Sequence, residues 1–164
     1  MMHFILHEAN RKKCPFQLHT GIQEGCGNYI ASSDPALLSN LFLEYPNVQF
    51  DVFHIGYPYR QVLSVLAKTF PDVFIDMCRA HIISPTACIQ ALGEWIDSMP
   101  FNKISAFGGD YCFIDGVVGH QYLARLNVSI ALARKVEEGV CDLDVAKRIT
   151  KALFFENPAR IFGM

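Results

Sequence analysis

Three places where an apolar run gives way to glycine carry a side chain able to ligate a metal. They are His19 in His19-Thr20-Gly21, His54 in His54-Ile55-Gly56, and Asp110 in Gly108-Gly109-Asp110. Imidazole nitrogens and a carboxylate suit zinc or a similar divalent ion. The neighbouring glycines let the backbone turn sharply beside such a site. A lone histidine at the end of an apolar run reads most simply as a turn residue. Three ligand-type residues at equivalent places in successive units read instead as a ligand set. Weaker candidates for substrate contact lie nearby. Tyr57 and Arg60 follow His54 directly, and His81 follows the third apolar run. Arg60 could grip a carboxylate through two parallel hydrogen bonds or lie on a helix surface. His81 reads equally as site-facing or as part of a solvated loop. His120 reads as a polar face residue at a helix start, and Asp115 as a turn residue. Asp51 and Asp76 lie inside strands, where burial and structural pairing of one is the expectation; neither is assigned a catalytic role.

These residues need a scaffold that brings the ends of several strands together, and the chain reads as strand, turn, helix, repeated. The strands are expected at 15–19, 48–54, 73–78 and 103–107. Asp34-Pro35 and Ser84-Pro85 pair a capping side chain with a proline suited to the first helical turn. The helices they open carry Leu37, Leu38, Leu41, Phe42 and Tyr45, and Ile89, Leu92, Trp95, Ile96 and Met99, at helical spacing. A further helix follows the second strand with Val62, Leu63, Leu66, Ala67 and Phe70 on one face. Another is expected from about His120 to Glu138, stopped by Gly139, and a last one, capped by Asp142, runs toward Asn157-Pro158. Residues 4–13 read as the tail of a preceding helix. Strand starts near 15, 48, 73 and 104 lie 33, 25 and 31 residues apart, close to the ~30 residues of a βαβ unit. The expectation is an α/β fold of four parallel βα units. Its strands read as the near-continuous apolar runs of a sheet covered on both faces.

The chain has 164 residues, 51% of them hydrophobic and 18% charged, which suits one domain over 1–164 and excludes disorder. Its 14 basic and 16 acidic residues give a net charge of -2, so no basic excess points to nucleic acid. No apolar run approaches the ~20 residues needed to cross a bilayer. In the opening MMHFILHEANRKK the basic residues follow the apolar patch, against the order of a signal peptide. A cytoplasmic location is expected. The six cysteines form no CxxC pair and read as reduced, mostly buried thiols.

PFQLHTG, FDVFHIGYPY, KISAFGGDY and the final ENPARIFG, in this order and spacing, resemble the carboxyl-terminal half of the amidohydrolase superfamily. The resemblance runs from about residue 4 to 164. It implies strands five to eight of a (β/α)₈ TIM barrel, with His19 and His54 as the strand-five and strand-six metal ligands and Asp110 as the strand-eight ligand. It also implies that Asp110 acts as general base toward the attacking water. Zinc is the implied metal, with manganese the alternative, and the substrate a small carbonyl compound. The HxH pair of strand one and the strand-four ligand have no counterpart here, and a whole barrel takes ~250 residues. A half-barrel leaves strand edges unpaired. The chain is therefore expected to form a homo-oligomer, to cover an edge with a helix, or to join a missing N-terminal half. Three functions follow: a metal-dependent hydrolase, an inert half-barrel that assembles or binds a small ligand, and, within the family, a decarboxylase or isomerase.

Overall fold

The computed structural model describes residues 1–23 and 25–164. Its sheet comprises β1 (Phe16–His19), β2 (Phe50–Phe53), β3 (Val73–Asp76) and β4 (Ile104–Ser105), all parallel and in the order β1-β2-β3-β4. The helices are α1 (Met2–Lys12), α2 (Ser39–Glu44), α3 (Arg60–Thr69), α4 (Ala80–Ile83), α5 (Pro85–Ser98), α6 (Ile114–Glu137), α7 (Leu143–Lys151) and α8 (Asn157–Phe162). Parallel neighbours need a crossover, and each crossover here contains at least one helix. Helix α3 packs against β3 and α5, and α5 packs against α6. The buried apolar residues form a cluster that includes Val52, Leu63, Ile75, Leu92, Trp95 and Ile104. The Trp95 indole N–H donates to the Arg60 carbonyl at 3.0 Å, satisfying a polar atom that burial would otherwise penalise.

Two caps act as their residue types dictate. The Asp34 carboxylate accepts from Ala36 N, and the Ser84 hydroxyl oxygen accepts from Ala87 N. The continuous helix expected after Asp34 is broken, however, into a 3₁₀ turn at Pro35–Leu38 followed by α2. Helix α6 begins six residues earlier than expected. Gly116 and Gly119 weaken the local helical signal there, but a Cβ at Gly116 would come within 2.6 Å of the Tyr111 ring, so packing both requires that glycine and overrides its propensity. The early start also buries His120 among His81, Phe107 and Tyr111 rather than on a polar face. At the carboxyl end the chain does not stop at Pro158. A π turn at Ala152–Glu156 joins α7 to α8, with Asn157 N–H reaching Ala152 O. The widened turn accommodates a proline that would clash inside an uninterrupted α-helix.

The two sheet edges differ. Ser105 spends its carbonyl on Met77 N, just past β3, so its neighbours Ile104 and Ala106 turn their backbone groups the other way. The C-terminal segment covers much of that side: Asn157 Nδ2 donates to Ile104 O at 2.8 Å, and Ala106 N donates to Leu153 O at 2.9 Å. Of the edge solutions expected from the sequence, a helical cover is thus present at β4. At β1, Gln17 and His19 are exposed, whereas β2 and β3 are buried almost throughout.

Candidate metal centre

Beyond the strand ends the backbone takes an unusual course. His54, Ile55 and Gly56 all have positive φ (67°, 49° and 55°), as do Arg79 (52°) and Asp110 (50°). Left-handed conformations at non-glycine residues cost on the order of 1–3 kcal/mol each and concentrate at functional sites. Gly21, with φ 74°, is obligatory for a different reason. A Cβ there would lie 2.4 Å from Tyr57 O, where the loops after β1 and β2 meet. These turns aim the ends of β1, β2 and β4 at a cavity of about 640 Å³, lined by His19, His54, Arg79, Asp110, Tyr111 and Cys112 among others.

His54 is buried, and its Nδ1 lies 2.8 Å from Cys78 O. A carbonyl can only accept, so Nδ1 carries the proton and Nε2 presents its lone pair. That Nε2 is buried with no hydrogen-bond partner among the described residues. Burial holds the imidazole below its ordinary pKa, opposed by the Cys78 carbonyl. A neutral ring fixed at one nitrogen and open at the other is the form in which histidine ligates metals. The His19 ring centroid lies 4.1 Å from that of His54. The Asp110 side chain is 51% exposed at the cavity, with an oxygen 3.7 Å from Arg79 Nη1.

The structure therefore brings together all three ligand candidates read from the sequence, His19, His54 and Asp110, around one cavity. It adds a fourth donor. Ligand atoms of His54, Cys78 and Asp110 lie within 4.8 Å of one another. Cys78 stands two residues past β3, in the same stretch beyond the strand ends as His54, one residue past β2, and Asp110, five past β4, while His19 is the last residue of β1. That position was the available signal; its apolar surroundings made the residue read as a plain buried thiol. Burial, with the Asp76 charge second, pushes the free thiol well above its ordinary pKa.

The three residues read as substrate contacts stand elsewhere. Arg60 pairs with Glu94 of α5 through two hydrogen bonds of 3.0 and 3.1 Å. His81 is fully buried, with Nε2 2.8 Å from Ala106 O and Nδ1 3.3 Å from Asn127 Nδ2. Those bonds tie α4 and α6 to the end of β4. Tyr57 packs against the core and accepts from Ile22 N through its carbonyl. None of the three lines the cavity, whereas Arg79 does.

Comparison with known proteins agrees with this architecture. Protein fluG of Emericella nidulans is 33% identical over 155 residues, covering 92% of this chain and 17% of that protein. A solved protein described as a metal-dependent hydrolase, from Lactobacillus casei ATCC 334, superposes with a TM-score of 0.81 at 19% identity, over 99% of this chain and 43% of its own. The uronate isomerase of Bacillus halodurans C-125 does so with a TM-score of 0.79 at 18% identity, over 97% and 40%. The chain thus spans less than half the length of each, and its four parallel βα units correspond to half of a (β/α)₈ barrel. The Amidohydrolase family model matches residues 2–164. This chain belongs to the amidohydrolase family.

Proposed function

We propose that His19, His54 and Asp110 hold a divalent metal and that the chain contributes to metal-dependent hydrolysis of a small carbonyl substrate. The observation that carries this reading is the buried Nε2 of His54, without a hydrogen-bond partner among the described residues, on a ring whose other nitrogen is already committed to Cys78 O. Leaving such an atom without a partner costs about 1–3 kcal/mol, and a metal ion removes that cost. When bound, the metal supplies Lewis acidity, polarising the carbonyl and lowering the pKa of water toward ~7.

The remaining work falls to the chain's own residues. Asp110, partly exposed at the cavity, accepts a proton from the attacking water and returns it to the leaving group. Arg79 keeps the Asp110 carboxylate in place and presents guanidinium charge to a polar end of the substrate. Strand β1, exposed and carrying His19, is where a further set of strands from a second copy or from additional polypeptide would complete the barrel. A second reading, a half-barrel that binds metal or ligand without turnover, is supported by the chain's spanning less than half of its structural neighbours.

Metal content per chain of tag-free protein, measured with its mass in solution, tests the proposal. Near-stoichiometric zinc or manganese, lost in His54→Ala and Asp110→Asn, is expected. No metal after incubation with divalent ions would overturn it. Bound metal without hydrolysis of esters, lactones or amides would select the binding reading.

A further inference from the structure

A donor stands at or shortly beyond the end of each of the four strands: His19 is the last residue of β1, and His54, Cys78 and Asp110 lie one, two and five residues past β2, β3 and β4. We infer that the Cys78 thiolate is itself a ligand of the metal, making this a mixed nitrogen, sulfur and oxygen centre selective for zinc-type ions. The inference rests on the metal-binding reading above and adds to it a donor and a preference among metals.

Geometry supplies the first support. The ligand atoms of His54, Cys78 and Asp110 lie within 4.8 Å of one another. Tetrahedral coordination at ordinary zinc–sulfur and zinc–nitrogen lengths brings such atoms to about 3.5 Å, so a contraction of roughly 1 Å closes the site, within the reach of side-chain rotation. The second support is independent of the cysteine. His54, a member of the same cluster, has its buried Nε2 without a hydrogen-bond partner among the described residues. The third is the room made for sulfur. A Cβ at Gly108 would fall 2.8 Å from Cys78 Cβ and 3.0 Å from its Sγ, so any other residue there would displace the thiol. Cys78 is also coupled directly to the histidine, since its own carbonyl holds His54 Nδ1. A single short segment thus fixes the imidazole and offers the next donor.

The chemistry of the donor set then decides among metals. Thiolate is a soft ligand that favours zinc, cobalt and copper over manganese and magnesium. On binding, the S–H bond breaks, its proton passes to solvent, and the sulfur lone pair forms the metal bond.

Cobalt(II) titration of the tag-free, metal-stripped chain, kept reduced with a phosphine, provides the test. A sulfur-to-cobalt charge-transfer band in the near ultraviolet, saturating at one equivalent, is expected. Cys78→Ser should lose that band while keeping the weaker visible bands of cobalt held by nitrogen and oxygen. Cys112→Ser, at the exposed cysteine that also lines the cavity, should retain it. Zinc affinity should fall about tenfold or more in Cys78→Ser, and manganese affinity should change less than about twofold. Visible bands in the parent without the charge-transfer band would overturn sulfur ligation and leave the metal reading standing. A band that survives Cys78→Ser and vanishes in Cys112→Ser would overturn the assignment to Cys78. No cobalt bound at all would sink both. The parent spectrum needs no variant, so poor folding of Cys78→Ser would not shield the inference.

Discussion

Replacing Asp51 by Asn should stabilise the protein at neutral pH and do nothing at acid pH. Asp51 lies in β2, fully buried, with Oδ2 accepting from Gln17 Nε2 at 2.9 Å and Oδ1 without a partner among the described residues. Asp76, in the neighbouring strand, is buried as well. Burial raises the Asp51 pKa from 3.8 to about 6, opposed by the Gln17 hydrogen bond. Burial and then the Asp51 charge raise Asp76 as well, so ionising either carboxyl opposes ionising the other. Between pH 3.8 and about 6 the folded chain keeps a proton on Asp51 that the unfolded chain has released. Stability contributed by the protonated carboxyl is therefore whole below this window and lost as pH rises through it. At ~1.4 kcal/mol per pKa unit the full loss is about 3 kcal/mol. Asparagine never ionises and its Oδ1 can still accept from Gln17, so Asp51→Asn escapes the loss. Urea denaturation followed by fluorescence of Trp95, the single and fully buried tryptophan, measures the difference. With a slope of roughly 2 kcal/mol/M, the variant's midpoint should lie about 1.5 M higher at pH 7.5 and converge on the parent's below pH 4. Parallel curves, offset equally at every pH, would refute this account of Asp51. A variant less stable than the parent at pH 7.5 would show that the charge itself is needed.

Asn157→Ala should cost about 2–3 kcal/mol, because it strands two carbonyls, Phe101 O and Ile104 O, that the buried amide now satisfies at 2.8 Å each. Chemical denaturation measures this, and a loss below about 0.5 kcal/mol would mean that water replaces the amide and that the C-terminal cover of β4 is loose. Arg60→Ala should cost under about 1 kcal/mol, since its partner Glu94 is partly exposed. The same variant should leave zinc affinity within about twofold of the parent's by competition with a chelating dye, as expected of an ion pair between two outer helices. A large drop in affinity would return Arg60 to the site.

The parts of this fold that were legible in the sequence are those set by neighbours along the chain. Apolar runs, three of them ending beside glycine, place the four strands, and the Asp34 and Ser84 caps mark where helical turns begin. Strand ends were less legible. The fourth strand reads over five residues in the sequence but pairs over two. His19, His54 and Asp110 could be picked out because a parallel sheet gathers whatever stands after its strands, and each stands beside a glycine turn. Tertiary structure decided the rest. Which strand-end side chains reach the cavity depends on left-handed turns at His54, Arg79 and Asp110, which only packing can hold in residues that disfavour them. The same packing turned Arg60 toward Glu94 and His81 toward Ala106, and placed Cys78 beside His54 and Asp110 across three strands. Spacing along a chain reports which residues end a strand. Which of them face one another is set by the register between strands, and no local pattern contains it.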